Sequence, residues 1–216
     1  SWRTPFDPKS AQHRVNDYCE GNAWQYLWLT PQDPEGLIEL LGGDKGFTNK
    51  LDQLFSISSD LEEGSSMDIT GLIGQYAHGN EPSHHIGYLY AYSTAPQTGQ
   101  KYIHRVINEF HGNTPNGMIG NDDCGQMSAW YILSSLGFYP VNPANGEFVL
   151  GVPQVKNATI HLKNNKKFTI STSNFSEDNS YSNTQTLNNI ELSKPIINYS
   201  DIIKGGTLNF QMTNQN

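Results

Sequence analysis

The chain runs to 216 residues, 36% hydrophobic and 16% charged, enough apolar material for one large domain or two small ones with a buried core. Its formal charge of −8 and pI near 5.2 exclude a nucleic-acid binder, which needs a surplus of Lys and Arg against a polyanion. No apolar run is long enough to span a bilayer, so membrane insertion is not expected, and a neutral or cationic ligand or a metal ion is the easier partner.

The chain opens at Ser1-Trp2-Arg3 with neither Met nor a signal-peptide pattern, and reads as a piece cut from something longer. Apolar residues then recur at helical spacing: Trp24, Leu27 and Trp28; Leu37, Leu40 and Leu41; Tyr102, Val106 and Phe110. Asp33-Pro34 marks a helix start and Gly42-Gly43 a stop, and the acidic, Ser-rich stretch 56–68 is expected to be loop. Pro96 opens a helix running to Gly112, and Met127 to Leu136 forms another that ends at Gly137, with Pro140 close behind. Near residue 140 the period drops toward two. Segments 148–150, 158–162, 168–170 and 208–212 read as short strands separated by Asn-rich and Gly-Gly turns.

The expected class is therefore α+β: residues 1–140 as helical pairs with function in their connections, part of an α/α toroid, and 141–216 as an antiparallel β layer or sandwich. Cys19 and Cys124 are too few for a disulfide framework or a zinc site and are expected as free, partly buried thiols.

Three polar blocks stand beside apolar segments, where a core has no use for charge but a hydroxyl-rich ligand does. In Tyr18 to Tyr26, Glu20 sits among aromatic residues that would desolvate it and favour the protonated form of a general acid; complementing a helix dipole is the plainer alternative. Asn80, Glu81, His84 and His85 lack the two-His-on-one-face spacing of a zinc helix. The oxygen donors Asn80, Glu81 and Gln75 suit a hard cation such as calcium, and a capped helix start with internally bonded His fits equally. In Asn121-Asp122-Asp123, adjacent carboxylates in a turn diverge, allowing one base and one helix cap, or an ordinary Asp-rich helix entry. No phosphate-binding glycine loop follows a strand, and no G-x-S-x-G elbow is present.

Together, YCEGNAWQY (Tyr18 to Tyr26), GNEPSHHIGYLY (Gly79 to Tyr90) and GNDDCGQMSAWYILSSLGFYP (Gly120 to Pro140) resemble the signature segments of glycoside hydrolase family 92. The resemblance implies a calcium-dependent, exo-acting, inverting α-mannosidase, many members being specific for α-1,2 linkages. It further implies an (α/α)6 barrel ending in β structure, with the N-terminal β-sandwich domain missing from this chain. Glu20 matches the general acid and Asp123 the general base, with Asp122 as an acidic helper. Trp24, Glu81, His84 and His85 are expected at the sugar, and Asn80, Glu81 and Gln75 at the ion. Gln32 stands where many members carry His, a departure that bears on linkage preference. An inverting pair stands roughly 6.5–9.5 Å apart to admit a water. The expected partner is a mannose-containing glycan outside the cytoplasm. A non-catalytic carbohydrate-binding module is the competing class. A glycoside phosphorylase ranks last, because the motifs hold almost no Lys or Arg for phosphate.

Overall fold

A computed structural model describes residues 4–176 and 178–214. The first helix, α1 (Ala23–Tyr26), is a single turn closed by a capping box, with the Asn22 side chain accepting from Trp24 N and Gln25 N and the Gln25 side chain returning to Asn22 N. Asp33 caps α2 (Pro34–Leu40) through Gly36 N, with Pro34 in the first turn as expected. Gly43, at φ 84°, then starts α3 (Asp44–Ser56), which buries Phe47, Leu51, Leu54 and Phe55 on one face. After the loop 57–71 comes a short hairpin of β1 (Leu72–Ile73) and β2 (Tyr76–Ala77).

Two 3-10 segments follow, Glu81–Ser83 and Ile86–Tyr92, the second burying every residue from Ile86 to Tyr90. A 3-10 run of seven residues is unusual in water; here α4 (Pro96–Phe110) packs along it and shields it. Gly99 permits the approach, since a Cβ there would lie 2.4 Å from the Gly87 carbonyl oxygen. Helix α5 (Gln126–Leu136) ends at Gly137, which takes the left-handed conformation expected of a helix stop.

The β part begins slightly early. β3 (Phe138–Tyr139), β4 (Glu147–Leu150) and β9 (Ile196–Asn198) form one antiparallel sheet in the order β3-β4-β9. β5 (Asn157–His161), β6 (Lys167–Ser173), β7 (Tyr181–Leu187), β8 (Ile190–Glu191) and β10 (Gly206–Thr213) form a second, ordered β5-β6-β10-β7-β8. This second sheet corrects the antiparallel expectation at one place, because β10 runs parallel to β6 after a crossover that includes α6 (Tyr199–Lys204).

The class is thus mixed α+β. One core cluster joins Trp28, Phe47 and Trp130 of the helical part to Phe168, Leu208 and Phe210 of the sheets, so the change of period near residue 140 marks a change of element within a shared core. Gln100 Oε1 accepts from Ser182 N at 2.7 Å across that junction, with both groups buried. Among the described residues no helix is long and apolar enough to cross a membrane. Cys19 and Cys124 are free as expected but exposed, correcting their predicted partial burial: both lie in polar loops, Cys124 with φ 61°, outside any helix or strand that could pack them.

Candidate active site

The three sequence blocks, distant in the chain, meet at their backbones. Gly120 has φ 71°, and a Cβ on it would stand 2.7 Å from the Gly79 carbonyl oxygen and 2.9 Å from Gly79 Cα. Only glycine tolerates both the conformation and the contact, and this abutment sets the loop bearing Glu81 against the loop bearing Asp123. Asn80 Nδ2 donates to the Glu20 carbonyl at 2.8 Å, bringing the first block to the second. Behind them, Trp130 Nε1 donates to the His84 carbonyl at 2.9 Å and Gln126 Nε2 to His84 Nδ1 at 3.2 Å.

Glu20 and Asp123 both adopt left-handed backbone, at φ 57° and 48°. For residues with a Cβ this conformation is costly and persists where neighbours enforce it, which is a feature of functional sites. At Asp123 it continues through Cys124 and Gly125 (φ 61° and 96°), turning the chain sharply into α5.

Glu81 is half-buried, and its carboxyl is raised above the ordinary carboxylate range. Burial is the main cause; a hydrogen bond to Asp123 and the negative charges of Asp123 and Glu20 add to it. Carboxyl groups from three separated segments therefore feel one another.

The remaining expected residues lie elsewhere in this arrangement. Asp122 Oδ1 accepts from Ser128 N at 3.0 Å and Ser128 Oγ at 2.7 Å, which holds its carboxyl below the usual range. The two neighbouring acids thus divide, Asp122 bonded to the first turn of α5 and Asp123 set beside Glu81.

His84 and His85 are 3% and 6% exposed, so neither presents a ring to a sugar in this chain. The Nε2 of His84 donates to the His78 carbonyl at 3.0 Å and that of His85 to the Trp28 carbonyl at 2.7 Å. Burial drives both toward the neutral form, with His84 lowered to about 4. Their adjacency in sequence sends the two rings to different parts of the core, where each satisfies a carbonyl. Trp24 is half-buried with the Lys50 ammonium 4.1 Å above its ring. Glu20 itself is exposed, where burial among the aromatic residues was expected.

Gln75 is fully buried and occupied: its Oε1 accepts from Asn22 Nδ2 at 2.8 Å and its Nε2 donates to the Ser58 carbonyl at 2.7 Å. In this chain it acts as an internal tie, with both ends of its amide bonded inside the fold. Glu81 and Asn80, whose Oδ1 accepts from Glu81 N at 3.2 Å, carry hard oxygens of the kind calcium takes. They fall short of its six to eight ligands, and among the described residues no group of three or more His, Cys, Asp or Glu is assembled to hold a metal.

Reading from sequence missed Asn22, Gln25, His78, Gln126 and Tyr139 as site-building residues. The Asn22–Gln25 pair carried a legible signal, a capping-box spacing with Gln three residues after the cap. The others are joined only through tertiary contacts, such as Gln126 Nε2 to the Tyr139 hydroxyl at 3.0 Å.

Comparison with known proteins matches this arrangement to one group. The sequence model of the glycosyl hydrolase family 92 catalytic domain covers residues 1–214. A family 92 α-mannosidase from Bacteroides thetaiotaomicron, solved in complex with mannoimidazole, is 40% identical with a TM-score of 0.93, over 100% of this chain and 29% of that one. An inverting mannosidase of the same family from Bacteroides thetaiotaomicron VPI-5482 is 33% identical with a TM-score of 0.83, over 100% of this chain and 30% of that one. An uncharacterized secreted glycosidase of Arthroderma benhamiae is 30% identical over 192 residues, 88% of this chain and 23% of that protein. The chain spans less than a third of the length of these relatives.

Proposed function

This chain belongs to glycosyl hydrolase family 92, and on that premise we propose that it contributes the acid and the base of an inverting α-mannosidase that releases terminal mannose from glycans. The observation that supports this most is the meeting of the three blocks, Gly120 against the Gly79 backbone and the Asn80 amide on the Glu20 carbonyl. An inverting glycosidase requires one protonated and one ionised carboxyl group on opposite faces of the sugar. Carboxyl groups crowded into one field favour such a division, because they resist ionising together.

In this reading Glu20 gives its proton to the glycosidic oxygen as the bond from that oxygen to the anomeric carbon breaks. The oxygen of a water forms the new bond to that carbon from the far side, and Asp123 takes the water's proton. Glu81, partly buried beside Asp123, holds a proton more readily than an exposed carboxylate and orients the base or a sugar hydroxyl. Glu81 and Asn80 would hold the calcium ion that the family resemblance implies, with further ligands from water or from outside this chain. When bound, such an ion acts as a Lewis acid on the oxygens it contacts.

The helices of residues 23–136 would be part of an (α/α)6 barrel completed by a further portion of a larger catalytic unit, which would also desolvate Glu20. Preference for α-1,2 linkages and a secreted or periplasmic location are part of the same proposal, the latter in keeping with the secreted fungal relative.

Hydrolysis of a panel of α-linked mannobioses by the whole catalytic unit tests the reading, with Glu20→Gln, Asp123→Asn and chelator-treated enzyme alongside. Each carboxyl variant is expected to lose on the order of 100-fold or more in kcat, and chelation to abolish turnover reversibly. Full activity in Glu20→Gln or Asp123→Asn would reject the assignment, and tight mannoside binding without any turnover would favour a binding module.

A further inference from the structure

Glu20 is exposed, sits in a four-residue loop after Tyr18 that forms neither helix nor strand, and carries an unfavourable backbone angle. Something must hold it there if it is to meet a substrate oxygen reproducibly. On one side that is the Asn80 amide, bonded to the Glu20 carbonyl. On the other side the chain enters Gly21, where a Cβ would come 2.7 Å from the Tyr26 ring, and then Asn22.

Asn22 is fully buried and every polar group of its amide is spoken for. Its Oδ1 accepts from Trp24 N and Gln25 N at 3.0 and 3.3 Å, and its Nδ2 donates to Gln75 Oε1 at 2.8 Å. Its backbone N–H donates to Gln25 Oε1 at 2.7 Å, and Gln25 Nε2 donates to the Gln75 carbonyl at 2.7 Å. Gln75 in turn donates through Nε2 to the carbonyls of Ser58 and Asp60 at 2.7 and 3.4 Å. The relative exposures of Asn22, Gln25 and Gln75 are 0%, 2% and 0%, so this chain of amides is shut off from water and each lost bond leaves an unpaired group in low dielectric.

Gln75 also sits at the turn of the β1–β2 hairpin, four residues before Gly79 and six before Glu81. The hairpin itself is fastened by Gln75 N to the Leu54 carbonyl at 2.8 Å, on the buried face of helix α3. The loop of Glu20 and the loop of Glu81 are therefore referenced to one rigid point. We propose that Gln75 is a positioning residue for the general acid: through Asn22 and Gln25 it fixes the backbone that follows Glu20, while Asn80 fixes Glu20 itself. The energetics favour this over simple core filling. An apolar residue would fill the same space without tying three segments, and buried amides are costly unless their bonds are made.

The role of Gln75 rests on the assignment of Glu20 as the acid, and the experiment separates the two. Gln75→Met keeps the volume and removes both amide functions. In the whole catalytic unit its kcat on a mannobiose, whose sugar leaving group needs protonation, is expected to fall about 10- to 100-fold with KM little changed. On a dinitrophenyl α-mannoside, whose leaving group departs as a stable anion, kcat is expected to stay within about threefold. Glu20→Gln run in parallel is expected to show the same leaving-group dependence more strongly.

An equal loss on both substrates, or no loss on either, would show Gln75 to be a structural residue only. Where Glu20→Gln shows the dependence and Gln75→Met does not, the positioning role falls and the acid stands. Where Glu20→Gln itself lacks the dependence, the acid assignment falls and the role of Gln75 with it. Should Gln75→Met fail to fold, Asn22→Ser retains an oxygen that caps α1 and removes the amide nitrogen's link to Gln75 together with its long 3.5 Å contact to the Lys9 carbonyl, and the same comparison decides.

Discussion

The contact between Gly79 and Gly120 is the joint on which the proposed site turns, and Gly120→Ala probes it with a single methyl group. Two costs are separable. Alanine at φ 71° pays the left-handed penalty, about 1–2 kcal/mol. Its Cβ would also lie 2.7 Å from a carbonyl oxygen and 2.9 Å from a Cα, both backbone atoms that no rotamer change can move aside. Relieving such an overlap means shifting one loop, at about 1–3 kcal/mol, for a total of about 2–5 kcal/mol. Gly125→Ala is the control: its φ is 96°, and a Cβ there meets nothing within 4 Å, so it incurs the backbone penalty alone. Urea unfolding followed by the fluorescence of buried Trp28 and Trp130 reads the difference. With a slope of about 2 kcal/mol per M, the midpoint of Gly120→Ala should fall about 0.5–1.5 M below that of Gly125→Ala. In the whole catalytic unit Gly120→Ala should also lower kcat, because it pushes Asp123 away from Glu81. Equal midpoints for the two variants would refute the contact and with it the account of how the loops are registered.

Two further outcomes follow from buried polar groups. His78, His84 and His85 are held neutral by burial, with folded pKa values below 6.5 and that of His84 at about 4. The unfolded chain therefore binds more protons below pH 6.5, and stability present in full above that pH should decline as the pH falls toward 4. His84 alone accounts for about 2 kcal/mol between pH 6.5 and 5, and an urea midpoint unchanged from pH 7 to 5 would contradict its burial as a neutral ring. Separately, Ser134→Ala strips the Tyr88 hydroxyl of its 2.7 Å partner in a fully buried site, and should cost about 1–3 kcal/mol in the same assay. A double variant with Tyr88→Phe should recover part of that loss, since removing both polar partners is cheaper than orphaning one.

Local chemistry explains what could be seen in the residues alone. Asp33-Pro34, Gly42-Gly43 and Gly137 act within one turn of themselves, so their effect on helix ends does not wait for a fold. Strand β6, with buried Phe168 and Ile170 alternating with polar neighbours, likewise announces its own inner face. Helix α3 went unnamed although its apolar spacing was present, because no side chain caps its start. Strand β7 (YSNTQTL) is mostly polar; it is a strand because β10 offers it a ladder, and β10 lies beside β6 only through a crossover. Sequence spacing carries no record of such non-local pairing.

The same division runs through the site. The three motifs that carry Glu20, Glu81 and Asp123 were legible in the sequence, because the residue types and their glycine neighbours are written in short segments. Which polar groups remain free to act was decided by tertiary structure. Gln75 and Asn22 satisfy one another, His84 and His85 satisfy carbonyls, and Asp122 satisfies Ser128, while Glu81 is left against Asp123. A side chain's identity sets what bonds it can make, but only the packed chain determines which of them are already made, and a group whose bonds are spent inside the protein has none to offer a substrate.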